Sequence, residues 1–116
     1  MSETAEFDGF YAIYYHGQAG PGLGQIQLTN GKIIGSDVTG GVWDGSFAVN
    51  AVDQFISCEV TIKLPQNVPL ATTGLPVQGA EATNMRFKLP LDFSSRAFVP
   101  LELPIGKVNV RFQKVR

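Results

Sequence analysis

The chain has 116 residues, enough to bury a core of its own, and it reads as one domain over residues 1–116. Apolar residues make up 44% of it and charged residues 16%, with a formal charge of −1. That balance excludes a disordered chain and a surface built for nucleic-acid phosphates, and the single cysteine, Cys58, excludes an internal disulfide.

The opening "MSETAEFDG" is acidic and polar, without the apolar core of a signal peptide. No apolar run approaches the ~18 residues needed to span a bilayer, so a reducing cytoplasm is the expected location. The first strand is expected over residues 9–15, and it is apolar on both sides. Tyr11, Ile13 and Tyr15 share one face, and Phe10, Ala12 and Tyr14 the other. Asp8 precedes Gly9 at its start, where a carboxylate can accept backbone N–H bonds.

The glycine-rich "GQAGPGLG" does not fit a phosphate loop, because the next segment, "QIQLT", alternates as a strand and not as a helix. It is expected to be a hairpin connection leading into a strand over 23–29. Asn30-Gly31 then predicts a type I′ turn, which needs positive φ at both central residues. A third strand is expected over 32–37, with Gly35 and Asp37 at its turning end, and a fourth over 41–49. In the fifth, 54–64, Ile56, Cys58, Val60 and Ile62 share one face, which marks Cys58 as a buried and inert thiol. The connection from Pro65 to Glu81 holds three prolines and two glycines in "PQNVPLATTGLPVQG", which predicts a loop across one end of the sheet. Strands over 82–90, 96–102 and 106–114 complete the pattern.

Eight short antiparallel strands predict an all-β, up-and-down, lipocalin-like barrel, with a β-sandwich as the alternative. Such a barrel either fills with side chains or holds one small ligand. The inward faces place Ile26, Leu28, Ile56, Val60, Ile62, Met85, Phe87, Val108 and Val110 around a cavity for an apolar molecule. Trp43, Phe47, Phe98 and Phe112 are expected to pack in the core. Since one side of the first strand is left over, Tyr11, Ile13, Tyr14 and Tyr15, with Val99 and Leu101 of the two-faced "FVPLELP", are candidates for a homodimer interface.

His16, the sole histidine, is expected on the surface beside Gly17. Asp8 and Asp37 lack an evident base, nucleophile or metal partner, so their expected role is to fix turns. No catalytic residue, cofactor or metal ligand is predicted, and the chain is not read as an enzyme. The basic outer face of the last strand, with Lys107, Arg111, Lys114 and Arg116, reads as a solvated edge that resists aggregation, or as a docking strip for an acidic partner.

The order Asp8-Gly9-x-Tyr11, Gly22 and Gly24, Asn30-Gly31, Gly35-x-Asp37, Trp43-x-Gly45 resembles the negative regulators of type III secretion, the GrlR-like proteins, over residues 7–50. The resemblance implies a lipocalin-like barrel with an apolar cavity that forms homodimers. It further implies regulation by binding a protein such as a transcriptional activator, and not DNA. The best-known member meets its activator through an acidic Glu-Asp-Glu-Asp stretch, where this chain has "SFAVNAVDQF" with Asp53 as its one acid. A fatty-acid-binding type of carrier is the second expectation.

Overall fold

A computed structural model describes residues 3–17, 20–38, 40–64, 81–103 and 106–116. The eight strands are β1 (Gly9–Gly17), β2 (Gly20–Thr29), β3 (Lys32–Asp37), β4 (Val42–Asn50), β5 (Phe55–Leu64), β6 (Glu81–Pro90), β7 (Val99–Leu103) and β8 (Gly106–Lys114). Short 3₁₀ turns lie at Glu3–Phe7 and Phe93–Ser95, with no α-helix among the described residues. No helix is long and apolar enough to cross a membrane. The expected Pro65–Glu81 loop lies outside the described residues except for Glu81, which opens β6.

All eight strands belong to one antiparallel sheet in the order β6-β5-β4-β3-β2-β1-β8-β7. β1 pairs with both β2 and β8, which curls the sheet into a nearly closed barrel instead of a sandwich. The closure differs from the expected full meander in one place. Among the described residues, β6 and β7 meet along a seam without a hydrogen-bonded ladder, and each has one edge that no described strand pairs with.

The alternation of the sequence sets which side chains enter. Ile26, Leu28, Ile33, Phe47, Ile56, Cys58, Val60, Ile62, Met85, Leu89, Val108, Val110 and Phe112 are all buried in one continuous core. Glu59, Arg86, Lys107 and Arg111, from the intervening positions, are exposed. Asn30 and Gly31 have φ of 51° and 79°, as a type I′ turn requires. The β4–β5 turn uses another device: Gln54 takes a φ of 63°, while Asn50 and Asp53 bond each other through Asn50 Nδ2–H to Asp53 Oδ2 and Asp53 N–H to Asn50 Oδ1, both 3.0 Å. Gly35 does not lie in a turn as expected. It is paired within β3 with Ile26 and Trp43, and a Cβ there would come within 2.5 Å of the Gln25 carbonyl oxygen. Its role is to let the backbones of neighbouring strands approach closely in the barrel wall.

β7 starts three residues later than expected because the chain first makes the 3₁₀ turn at Phe93–Ser95. That turn drops Phe93, 1% exposed, into the barrel. Phe98, expected in the core, is 54% exposed instead, since it lies between the turn and the first inward residue of β7, Val99.

Candidate functional site

The two ends of the barrel differ in chemistry. At the end where β1 starts and β8 finishes, Phe93 is the hub of an aromatic plug. Its ring centroid lies 5.4 Å from Tyr11, 6.2 Å from Phe7 and 5.1 Å from Phe112, the last edge to face. The Tyr11 hydroxyl donates to the Phe7 carbonyl at 2.7 Å, so its polar tip is satisfied within the plug. Burial, with the charge of Asp8 adding to it, pushes that hydroxyl up to about 12. Asp8 itself accepts the Asn30 N–H at 3.1 Å, so it ties the β2–β3 turn to the start of β1, a longer-range link than the local one expected.

At the opposite end, where β1 and β3 finish and β4 begins, three inward polar groups converge. Tyr15 is half-buried, hydrogen-bonded to Asp37, and its ring lies 6.2 Å from that of Trp43. The Tyr15 hydroxyl is pushed up to about 12, first by burial and then by the charge and hydrogen bond of Asp37. A Cβ built on Gly22 would come within 2.2 Å of the Tyr15 ring edge, so the ring can lie against the β2 backbone here because position 22 has no side chain. Asp37 also performs the expected turn-fixing role, accepting the Gly41 N–H at 2.9 Å. The Trp43 indole Nε1 is buried without a hydrogen-bond partner. A buried donor left unpaired costs on the order of 1–3 kcal/mol, which makes it the one unsatisfied side-chain group of this interior among the described residues.

Eight of the nine residues expected to line a cavity, all but the half-buried Phe87, are buried and packed in the same core. Asp8 and Asp37 lie at opposite ends of β3, beside Asn30 and Gly24 respectively, so they do not form an acid pair. His16 is exposed at the end of β1, as expected. Cys58 is buried and its thiol is pushed up to about 12 by burial, as an inert core cysteine should be. Among the described residues no group of three or more His, Cys, Asp or Glu side chains is placed to hold a metal ion.

The expected interface residues need correction. Tyr11, Ile13, Val99 and Leu101 are buried inside a single barrel, and Tyr15 is half-buried at its mouth. They lie on the inward face, so a second chain cannot reach them. Only Tyr14 is exposed, on the outer side that it shares with Phe10. The outer apolar surface extends further than the first strand. Tyr14 is paired with Leu23, Val38 bonds the Leu23 carbonyl at 3.0 Å, and Ile34 and Val42 follow on β3 and β4. Tyr14, Leu23, Ile34 and Val42 are between 42% and 52% exposed and Val38 is 73% exposed. Leu23, Ile34, Val38 and Val42 were not recognised from the sequence, because they stand singly beside glycines, inward-facing residues or polar residues and form one surface only when the strands are laid side by side.

The chain is thus a nearly closed, eight-stranded antiparallel barrel with one plugged and one polar end. No protein family, curated protein or solved structure matches it.

Proposed function

We propose that this chain is a non-catalytic binding protein that works by protein–protein contact through the outer face of β1–β4. The observation that carries this reading is the set of exposed apolar side chains on that face: Tyr14, Leu23, Ile34, Val38 and Val42. Contiguous apolar patches of more than ~300–600 Å² are uncommon on monomers, and covering one recovers ~25 cal/mol per Å². The first partner is a second copy of the chain, since a two-fold contact needs only one self-complementary patch. The resemblance of residues 7–50 to the type III secretion negative regulators supports the same reading and suggests a transcriptional regulator as the further partner. The acidic stretch of the best-known member is absent here, so contact with a regulator would use other residues. The lone, buried Cys58 suits a reducing cytoplasm.

Sedimentation velocity at high micromolar concentration tests the reading. A dimer is expected for the wild-type chain, and a folded monomer for Leu23→Lys. A wild-type chain that sediments as a monomer overturns it.

The Trp43 Nε1 donor favours a second reading, carriage of a small apolar molecule. A ligand with one neutral acceptor would satisfy that N–H. The carboxylate of Asp37 near the same end disfavours an anionic head such as that of a fatty acid. Native mass spectrometry of the purified protein reads both any bound molecule and the oligomer.

A further inference from the structure

Charge is distributed very unevenly along this chain. Seven of its nine basic residues follow residue 81, against two acids, Asp92 and Glu102. Most of these cations already have a neighbour. Arg86 faces Glu59 at 3.6 Å, Lys107 faces Glu102 at 3.5 Å, and Lys88 sits 4.4 Å above the Phe55 ring. Lys114 and Arg111 also lie near rings, Lys114 5.8 Å from the Tyr11 centroid and the Arg111 guanidinium 6.0 Å from that of Tyr14, and no carboxylate among the described residues pairs with Arg111.

Arg111 forms one wall of an open groove of about 390 Å³ between β8 and the turn at Phe93–Ser95. Ser94, Ser95 and Arg96 form the other wall, with Gln113 beside Arg111. Arg96 is held by Asp92, its Nε donating to Asp92 Oδ1 at 2.7 Å. That bond fixes the base of one guanidinium, and the Tyr14 ring lies beside the other. The turn itself is held by the Ser95 backbone N–H and hydroxyl, both donating to the Asp92 carbonyl at 2.9 Å. Arginine carries five donors and no acceptor, so an occupant of this groove has to supply the acceptors.

We propose that the groove binds a phosphate monoester, with Arg96 and Arg111 on opposite sides of it. Phosphate suits it better than carboxylate because its three free oxygens can serve both walls at once, and its charge approaches −2 near neutral pH. The site is open to water, so a lone phosphate should bind weakly, in the millimolar range. The proposal does not rest on the β1–β4 contact, although Tyr14 borders both surfaces.

The test is a ¹H–¹⁵N NMR titration of the full chain with O-phosphoserine and with inorganic phosphate, at constant ionic strength, with glutamate and chloride as comparison anions. Saturable shifts confined to residues 94–97 and 111–113 are expected, with both phosphates binding at least fivefold more tightly than glutamate. Arg111→Gln and Arg96→Gln should each weaken O-phosphoserine binding at least fivefold. Lys107→Gln, which removes the same charge outside the groove, should leave it unchanged. All three side chains are exposed, and the dispersion of each variant's spectrum reports its fold directly. Three outcomes overturn the proposal: shifts spread over every basic residue, equal loss in the Lys107 variant, or glutamate binding as tightly as O-phosphoserine.

Discussion

Single residues show how far local chemistry decides structure in this chain. Asn30-Gly31 is a local problem with a local solution, since few residues other than Asn and Gly tolerate paired positive φ values of 51° and 79°. Replacing Gly31 with Val should therefore lower stability by ~1–2 kcal/mol, read as a lower melting temperature with an unchanged spectrum. Cys58 was legible for the same kind of reason, from its place on an apolar strand face. Native protein should resist alkylation by iodoacetamide at pH 8, while urea-unfolded protein reacts fully, because the folded thiol is pushed up to about 12. The tyrosines were only half legible. Tyr15 could be assigned to a strand, but its bond to Asp37 joins residues on different strands and depends on the fold. Tyr11, Tyr15 and Cys58 are each raised to about 12, above their ordinary values of 10.0, 10.0 and 9.0. The folded chain thus holds more protons than the unfolded one across the interval between those values. The stabilisation is complete below pH 9 and is lost as pH rises from 9 to 12. Thermal melts across that range should show a level melting temperature, then a steady fall. Asp37→Asn should bring the Tyr15 hydroxyl back toward its ordinary value, which ultraviolet titration of the phenolate would read.

Elements carry the next layer. All eight strands lie within three residues of their expected bounds, and β2, β5, β6 and β8 were legible from period-two alternation, because a strand with one dry and one wet face records its own geometry in its sequence. β1 was ambiguous, since both faces are apolar and nothing within it says which enters the barrel. The structure resolves this: Tyr11, Ile13 and Tyr15 face inward, and Phe10 and Tyr14 outward. Tyr14→Lys should accordingly leave a folded barrel, with loss of stability below ~1 kcal/mol, whereas Tyr11→Lys should unfold it by placing an ammonium in the aromatic plug. Circular dichroism melts of the two variants separate the faces. The segment before β7 was the poorest reading, since "DFSSRAF" looks like the approach to a strand. Phe93 and Phe98 are chemically alike, and only contact with Phe7, Tyr11 and Phe112 selects Phe93 for burial. Phe93→Ala should cost ~3–5 kcal/mol by opening a cavity in the plug, while Phe98→Ala should be nearly neutral, as paired urea denaturations would show.

At the scale of the whole molecule, the barrel is built almost entirely from neighbouring hairpins, with the β1–β8 ladder as its long-range closure. Gly17→Pro should damage that ladder, because Gly17 pairs with Gly20 on one side and Val108 on the other. Slower-folding or partly open protein is expected, read by hydrogen exchange in β7 and β8. The sequence by itself determined the all-β class, the strand count, the hairpin turn and most of the apolar core. These are properties of alternation and turn chemistry, carried by residues close together in the chain. Tertiary structure alone decided which face of β1 is internal, which phenylalanine plugs the barrel, and that the seam falls between β6 and β7. It also brought Tyr15, Asp37 and Trp43 to one end, and Arg96 and Arg111 to one groove. The physical reason is common to all of these. Each is a relation between residues on different strands, and an alternating pattern specifies the two faces of a strand without specifying its neighbours.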